Sequence, residues 1–331
     1  MDVMAASRRK DAVGRFLRES GCVHFKSTGY VSVVTADGQT LGIVNPTGHN
    51  GNNNKPKGLH EWLRHRLEEW QKLPVKRRQP GAVKVADLDE IDAAFAALQP
   101  PEGALIVRVT NRTMQHDDQG QPRLVCSKDF DKEISDIQLG RLREPANDFM
   151  WIPQAEWQAL FDINPRVGQS QVVPESLKLR VFGHHMNPNL GIQGSRAYKP
   201  RSLQMGEMTA TVEEVTTNSV RLELAGAGVL DAPGGMDTRL LYRPALLGHL
   251  TYDRQKRTVM ELEMVALGSL SGRLHRSPAA LYSEKPRLLG IVYELIHNPI
   301  GGERLRPNAA RMQGSKPLGN YRNYLNPKAN Y

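Results

Sequence analysis

The chain has 331 residues, 39% of them apolar and 24% charged, with a formal charge of +9. That balance suits a globular fold of two ordinary domains and excludes an intrinsically disordered chain. No stretch approaches the roughly 18 consecutive apolar residues of a membrane-spanning helix, and the two cysteines, Cys22 and Cys126, supply neither a CxxC redox pair nor a cysteine-rich zinc site.

In chain order, Lys10–Ser20 places Val13, Phe16 and Leu17 at helical spacing, and Gly21 stops the helix. Cys22–Lys26 reads as a strand. Tyr30–Thr35, a turn at Ala36-Asp37-Gly38-Gln39 and a return over Thr40–Val44 predict a hairpin. Asn45–Gly58, rich in asparagine, is a polar loop. Leu59–Leu73 is an amphipathic helix with a Leu59, Trp62, Leu63, Leu67, Trp70 stripe expected to face a core. Pro74–Gly81 brackets Lys76-Arg77-Arg78 between prolines and reads as a linker. Asp87–Leu98 predicts a helix that Pro100-Pro101 stops.

Ala104–Thr110 and Pro122–Cys126 are strands around a turn at Asp117–Gly120, and Ser127–Asp148 is charged, weakly periodic and expected to be irregular. Short helices are predicted at Pro153–Phe161 and Pro174–Val181. Two hairpins follow, Met208–Val215 with Ser219–Ala225 and Ala245–Tyr252 with Thr258–Leu267. In the second, Met260, Leu262 and Met264 alternate with Glu261 and Glu263 as in a strand with one buried face. Leu288–Ile296 is a further strand, and the tail from Arg311 is expected to be extended.

These elements predict an α+β chain whose later part is a mainly antiparallel β-sandwich or partly closed β-barrel. The expected divisions are 1–74 (an α/β segment), 75–200 (a mixed α/β connecting region), 201–310 (a β-rich domain) and 311–331 (the tail). The N-terminal run MDVMAASRRKD has no apolar core of the kind a signal peptide needs, which reads as cytoplasmic.

Among candidate chemical groups, Phe182–Pro188 (FGHHMNP) stands out, because His184, His185 and Met186 offer imidazole and thioether donors suited to copper. Adjacent residues point in different directions, so such a site needs a remote third ligand, His116 or His249. His116-Asp117-Asp118 places an imidazole and two carboxylates on a turn. His249 lies mid-strand beside Leu247 and Thr251, the pattern of a hydrogen-bonded core histidine. The serines of Gly268-Ser269-Leu270-Ser271-Gly272 do not form a nucleophile elbow, since Leu270 takes the central place. No phosphate-binding GxxxxGK[ST] loop is present, and Asp231 stands where a dinucleotide fingerprint after Gly226-Ala227-Gly228 needs glycine.

The runs TATVEEVTTNSVRLEL (209–224), ALLGHLTYDRQKRTVMELEMVALG (245–268) and LLGIVYELI (288–296) resemble a group of planctomycete-type bacterial proteins in which a β-rich C-terminal region follows a thioredoxin-related segment. VSVVTADGQTLG (31–42) with KGLHEWLRHRLEEW (57–70) is similar to the closing hairpin and last helix of a thioredoxin fold. The chain departs from that pattern in lacking CxxC and in having too few residues before Val31 for the first half of the fold. The resemblance implies a degenerate, non-redox thioredoxin-like segment and an extracytoplasmic setting for a processed form, and it supplies no catalytic residue.

Three function classes are left open. The first is a binding or scaffold protein with a small-molecule or protein partner. The second is a metal-dependent enzyme, copper being the metal, built on His184, His185 and a remote histidine. The third is nucleic-acid binding through the basic charge, for which no recognition module and few stacking aromatics are present.

Overall fold

The computed structural model describes residues 15, 18, 19, 31–35, 38–44, 59–79, 99–130, 136–161, 164–188, 198–233, 239–272, 286–299, 306–310 and 317–328. The expected strand at Cys22–Lys26, the loop at Asn45–Gly58 and the helix at Asp87–Leu98 lie outside them. Of the expected helix Lys10–Ser20, only Arg15, Arg18 and Glu19 fall inside, and all three are helical. The chain divides into two compact units, Met1–Gln99 and Pro100–Tyr331.

In the first unit, β1 (Val31–Val34) and β2 (Thr40–Val44) pair antiparallel as expected, with Val31 opposite Val44. Gly38 turns the chain at φ 86°, and the Thr35 hydroxyl accepts a hydrogen bond from the Gln39 amide at 3.0 Å. Helix α1 (Leu59–Lys72) follows. Its stripe does not close into an apolar core among the described residues: Leu63 is 39% and Leu67 52% exposed, while Arg66 covers Trp62 and Arg78 covers Trp70. The expected linker is a single helical turn, α2 (Val75–Arg78), because Pro74 opens it and accepts the Arg77 amide at 2.9 Å. Arg77 donates to the Gln39 side chain on the hairpin.

The second unit is mostly antiparallel sheet. Its described strands are β3 (Leu105–His116), β4 (Pro122–Leu124), β5 (Ala146–Ile152), β6 (Ser170–Val172), β7 (Leu203–Val215), β8 (Ser219–Pro233), β9 (Arg239–Asp253), β10 (Thr258–Ser271) and β11 (Arg287–Leu295). They form one open sheet in the order β4-β3-β11-β10-β9-β8-β7-β6, with β5 on the same edge of β3 as β4. The alternation is thus realised in a single continuous sheet, where two stacked sheets were one of the arrangements expected. The boundary expected at residue 200 falls within this sheet, since β3 and β5 belong to it with β7–β11.

Both expected hairpins form. The Thr216 hydroxyl accepts the Asn218 and Ser219 amides in the β7–β8 turn, and Asp253 accepts the Gln255 and Lys256 amides in the β9–β10 turn. A bulge between Val259 and Glu261 shifts the pleat, so Met260 is 36% exposed and Val259, not Met260, joins Leu262 and Met264 inside.

Between β5 and β7 the chain carries α4 (Gln154–Gln158), β6 at the far edge, α5 (Glu175–Leu179) and a π-helical turn (Arg180–His185). Trp157, Leu160, Leu177, Val181 and Phe182 from this stretch fill the inner face of the sheet against Val107, Met150, Met208, Leu222, Leu250 and Ile291. Phe161 stacks on Tyr252 at 4.4 Å. One core therefore joins both ends of the sheet.

Two expectations are corrected here. Ser127–Asp148 holds a 3-10 turn (Ser127–Asp129), helix α3 (Asp136–Arg143) and the start of β5. Strand β5 shows no two-residue period because both faces are covered, Met150 and Ile152 by the main core and Trp151 by a second cluster with Ile106, Ala309, Ala310 and Tyr324. The tail is not extended throughout. Pro317–Leu325 is helix α6, which turns Tyr321, Tyr324 and Leu325 to one side at helical spacing, and Tyr324 is fully buried.

Candidate functional site

The densest set of buried polar groups in the described residues lies where α4, β5, the π turn and α6 meet. The run ESLKLRVFGHH leaves Pro174 as a helix, buries Leu177, Leu179, Val181 and Phe182, and widens so that the Met186 amide reaches the Val181 carbonyl at 3.0 Å. Gly183 permits this path, since a Cβ there would stand 2.6 Å from Pro200 Cα.

The π turn brings Arg180, at 0% exposure, against Glu156 of α4. Nε and Nη2 donate to the two carboxylate oxygens at 2.8 and 2.6 Å. Nη1 donates to the Tyr324 carbonyl at 2.5 Å and Nη2 to the Leu325 carbonyl at 3.0 Å. The guanidinium also lies over the Tyr324 ring, 4.7 Å from its centroid. Burial works against the charge, yet the hydrogen bonds that Arg180 donates to Glu156 prevail and raise the Arg180 pKa, so the cation is kept in the core. It caps the last carbonyls of α6, the place where a helix end favours positive charge.

His185 lies next to this pair, with Nε2 2.9 Å from the Tyr324 hydroxyl. That hydroxyl accepts the Trp151 amide at 2.9 Å, on the edge of β5 that faces away from β3. Burial pushes the Tyr324 phenol up, which keeps it neutral. Asp148 accepts the Asn308 amide at 3.0 Å and stands 3.9 Å from His185 Nδ1. The His184 ring packs against Tyr324 at 5.4 Å. The groups are aimed at one another and at backbone, and together they clamp the C-terminal segment onto the free edge of β5.

Of the four histidines expected as metal ligands, the structure brings only His184 and His185 to a shared neighbour, Tyr324. His116 is engaged in the β3–β4 turn, where Nδ1 lies 2.8 Å from the Gly120 carbonyl, and Asp117 holds that turn through the Gln119 and Gln121 amides. His249 is hydrogen-bonded, 2.9 Å from Glu213, but on the solvent face of the sheet, which corrects its expected place in the core. Among the described residues no three His, Cys, Asp or Glu side chains gather to hold a metal ion. Cys126 is a free thiol, 3.7 Å from the Arg123 guanidinium, and Cys22 lies outside the described residues. A small recess by β6, lined by Phe161, Pro165, Gln169 and Val212 among others, holds no charged or nucleophilic side chain.

The other notable feature is the outer face of the long strands. Strand register aligns Ala225, Leu247, Val265 and Val292 in one row and Ala227, Ala245, Leu267 and Gly290 in the next. Leu247 is 54%, Val265 50%, Val292 38% and Leu267 37% exposed. On one side of these rows, Glu223, His249, Glu263 and Glu294 form a mainly acidic row that Arg108 ends on β3. On the other side stands Arg243, opposite Ser269, while Arg112 on β3 ends the second apolar row opposite Gly290. The sequence reading did not single out this face. Its signal was present in Leu246-Leu247 and Val265-Ala266-Leu267, where consecutive apolar residues break an otherwise regular alternation.

Comparison with protein-family models, with curated proteins and with solved structures finds no match for this chain.

Proposed function

We propose that the chain is a binding or scaffold protein that docks a protein partner on the outer face of its sheet. The observation that carries this reading is the pair of apolar rows. Leu247, Val265, Leu267 and Val292 lie side by side on strands whose backbones are fixed by hydrogen bonds on both flanks. Single exposed aliphatics need no explanation, whereas a contiguous apolar patch rimmed by charge is the mark of an interaction surface. The buried ionisable groups support the same reading, because Glu156, Arg180, His185 and Tyr324 are engaged in holding the C-terminal segment. The acidic row beside the patch disfavours nucleic acid as its ligand. Hairpin β1–β2 followed by α1 is the order expected of the thioredoxin-like segment, and that kinship belongs to the same proposal.

The test is a photo-crosslinking residue placed at Leu247 or Val265 in cells, with Val167, 67% exposed and outside the patch, as control. One defined adduct from positions 247 and 265 and none from 167 is expected. Equal labelling from all three would refute the reading.

A further inference from the structure

Resting on that docking surface, we infer that its occupant is a second copy of this chain, related by a two-fold axis that lies in the interface along the apolar rows.

An isologous contact requires one patch to complement itself. The outer face is graded along the strands: Glu223, Glu263 and Glu294 at one end in a row that Arg108 closes on β3, two apolar rows in the middle, the second ending at Arg112, and Arg243 at the other end. A two-fold axis parallel to the strands along β10 would set Glu263 of each copy on that of the other and leave Arg243 without an acidic partner, which costs affinity. An axis along the rows, passing between the Leu247 and Ala245 rows, reverses the grade. Arg243 of one copy then meets the row holding His249 and Glu263 of the other.

The same operation fits the side chains. Each strand crosses its own counterpart head to tail, so Leu247 meets Ala245, large against small, and Val265 meets Leu267. Two twisted sheets stacked this way cross at roughly 30° and lie about 10 Å apart, which leaves Arg243 within reach of the opposing Glu263. Five strands about 4.8 Å apart and four two-residue repeats of about 6.8 Å span roughly 600 Å² of face, close to the roughly 800 Å² per partner of a standard interface. Strands buried on both faces read as near-continuous apolar runs, and Val265-Ala266-Leu267 is such a run, with Ala266 already in the core. The C-terminal cluster on Ile106 and Trp151 covers the β3–β5 end beyond Glu294 and leaves the rows open.

The experiment is sedimentation velocity on the purified full chain across about 1 to 100 µM, a range that brackets ordinary dimer affinities. A species of twice the 37.0 kDa chain mass is expected. Val265→Glu, Arg243→Glu and Glu263→Arg should each weaken dimerisation at least tenfold. The double variant Arg243→Glu/Glu263→Arg should recover most of it, because the two positions are diagonal neighbours across the axis. All three sites face solvent in the single chain, and unchanged circular dichroism shows that the fold is kept. A wild-type monomer throughout overturns the dimer. If adducts to a different protein still form at Leu247, the docking surface stands and only its occupant was wrong; with no adducts, both fall. A dimer unmoved by these variants forms through another face, which also overturns the inference.

Discussion

Glu156→Gln is the sharpest probe of how the C-terminal segment is held. The variant is nearly isosteric, yet it removes the charge that balances Arg180. The guanidinium is 0% exposed, and two of its donors are taken by Glu156. Glutamine retains one neutral acceptor and turns an amide donor toward the cation, leaving a buried charge with no anion to balance it beside the Tyr324 and Leu325 carbonyls. Breaking a buried pair in this way costs about 3–5 kcal/mol. With a urea slope of about 2–3 kcal/mol/M, the unfolding midpoint falls by roughly 1–2 M. The double variant Glu156→Leu/Arg180→Met removes both charges and should cost less than Glu156→Gln, about 1–3 kcal/mol for the two carbonyls that lose their donor. Urea titrations followed by far-ultraviolet circular dichroism measure both. A single-variant cost under about 1 kcal/mol, or a double-variant cost equal to the sum of the two singles, would refute the reasoning.

Tyr324→Phe strips the hydroxyl from the Trp151 amide and from His185. Leaving that buried N–H unpaired should cost about 1–3 kcal/mol and speed hydrogen exchange at Trp151, with unaltered exchange as the contrary result. The Asp129 carboxyl is held at about 2, from an ordinary 3.8, chiefly by the hydrogen bonds from Arg123. Its folded pKa lies below the unfolded one, so the stabilisation is full above about pH 4 and fades as pH falls toward 2. Asp129→Asn should flatten the pH dependence of stability in that window, and an identical acid slope in the two proteins would speak against the pairing.

The hairpins were legible because each strand alternates and each turn carries its own chemistry, Thr216 in one and Asp253 in the other. Strand β5 and helix α6 were hidden for opposite reasons. In β5 both faces are buried, so no period survives. In α6, Asn, Gly and Pro weaken intrinsic helicity, and the segment is helical because Tyr324 docks under Arg180 and Tyr321 packs edge-on to Trp151. The histidine pair was visible as a motif, but its partner was not, since Tyr324 lies 139 residues further along the chain. His249 was placed on the correct face relative to Leu247 and Thr251, yet alternation alone does not say which face is inside when Leu246 and Leu247 are both apolar.

The most direct measurement of the central claim is hydroxyl-radical footprinting of the chain inside cells against the dilute purified protein. Protection of Leu247, Val265, Leu267 and Val292, with Val167 and Val172 oxidised equally in both, is the expected result. Equal oxidation of the four outer-face residues in cells and in dilute solution would contradict a docking role for this sheet.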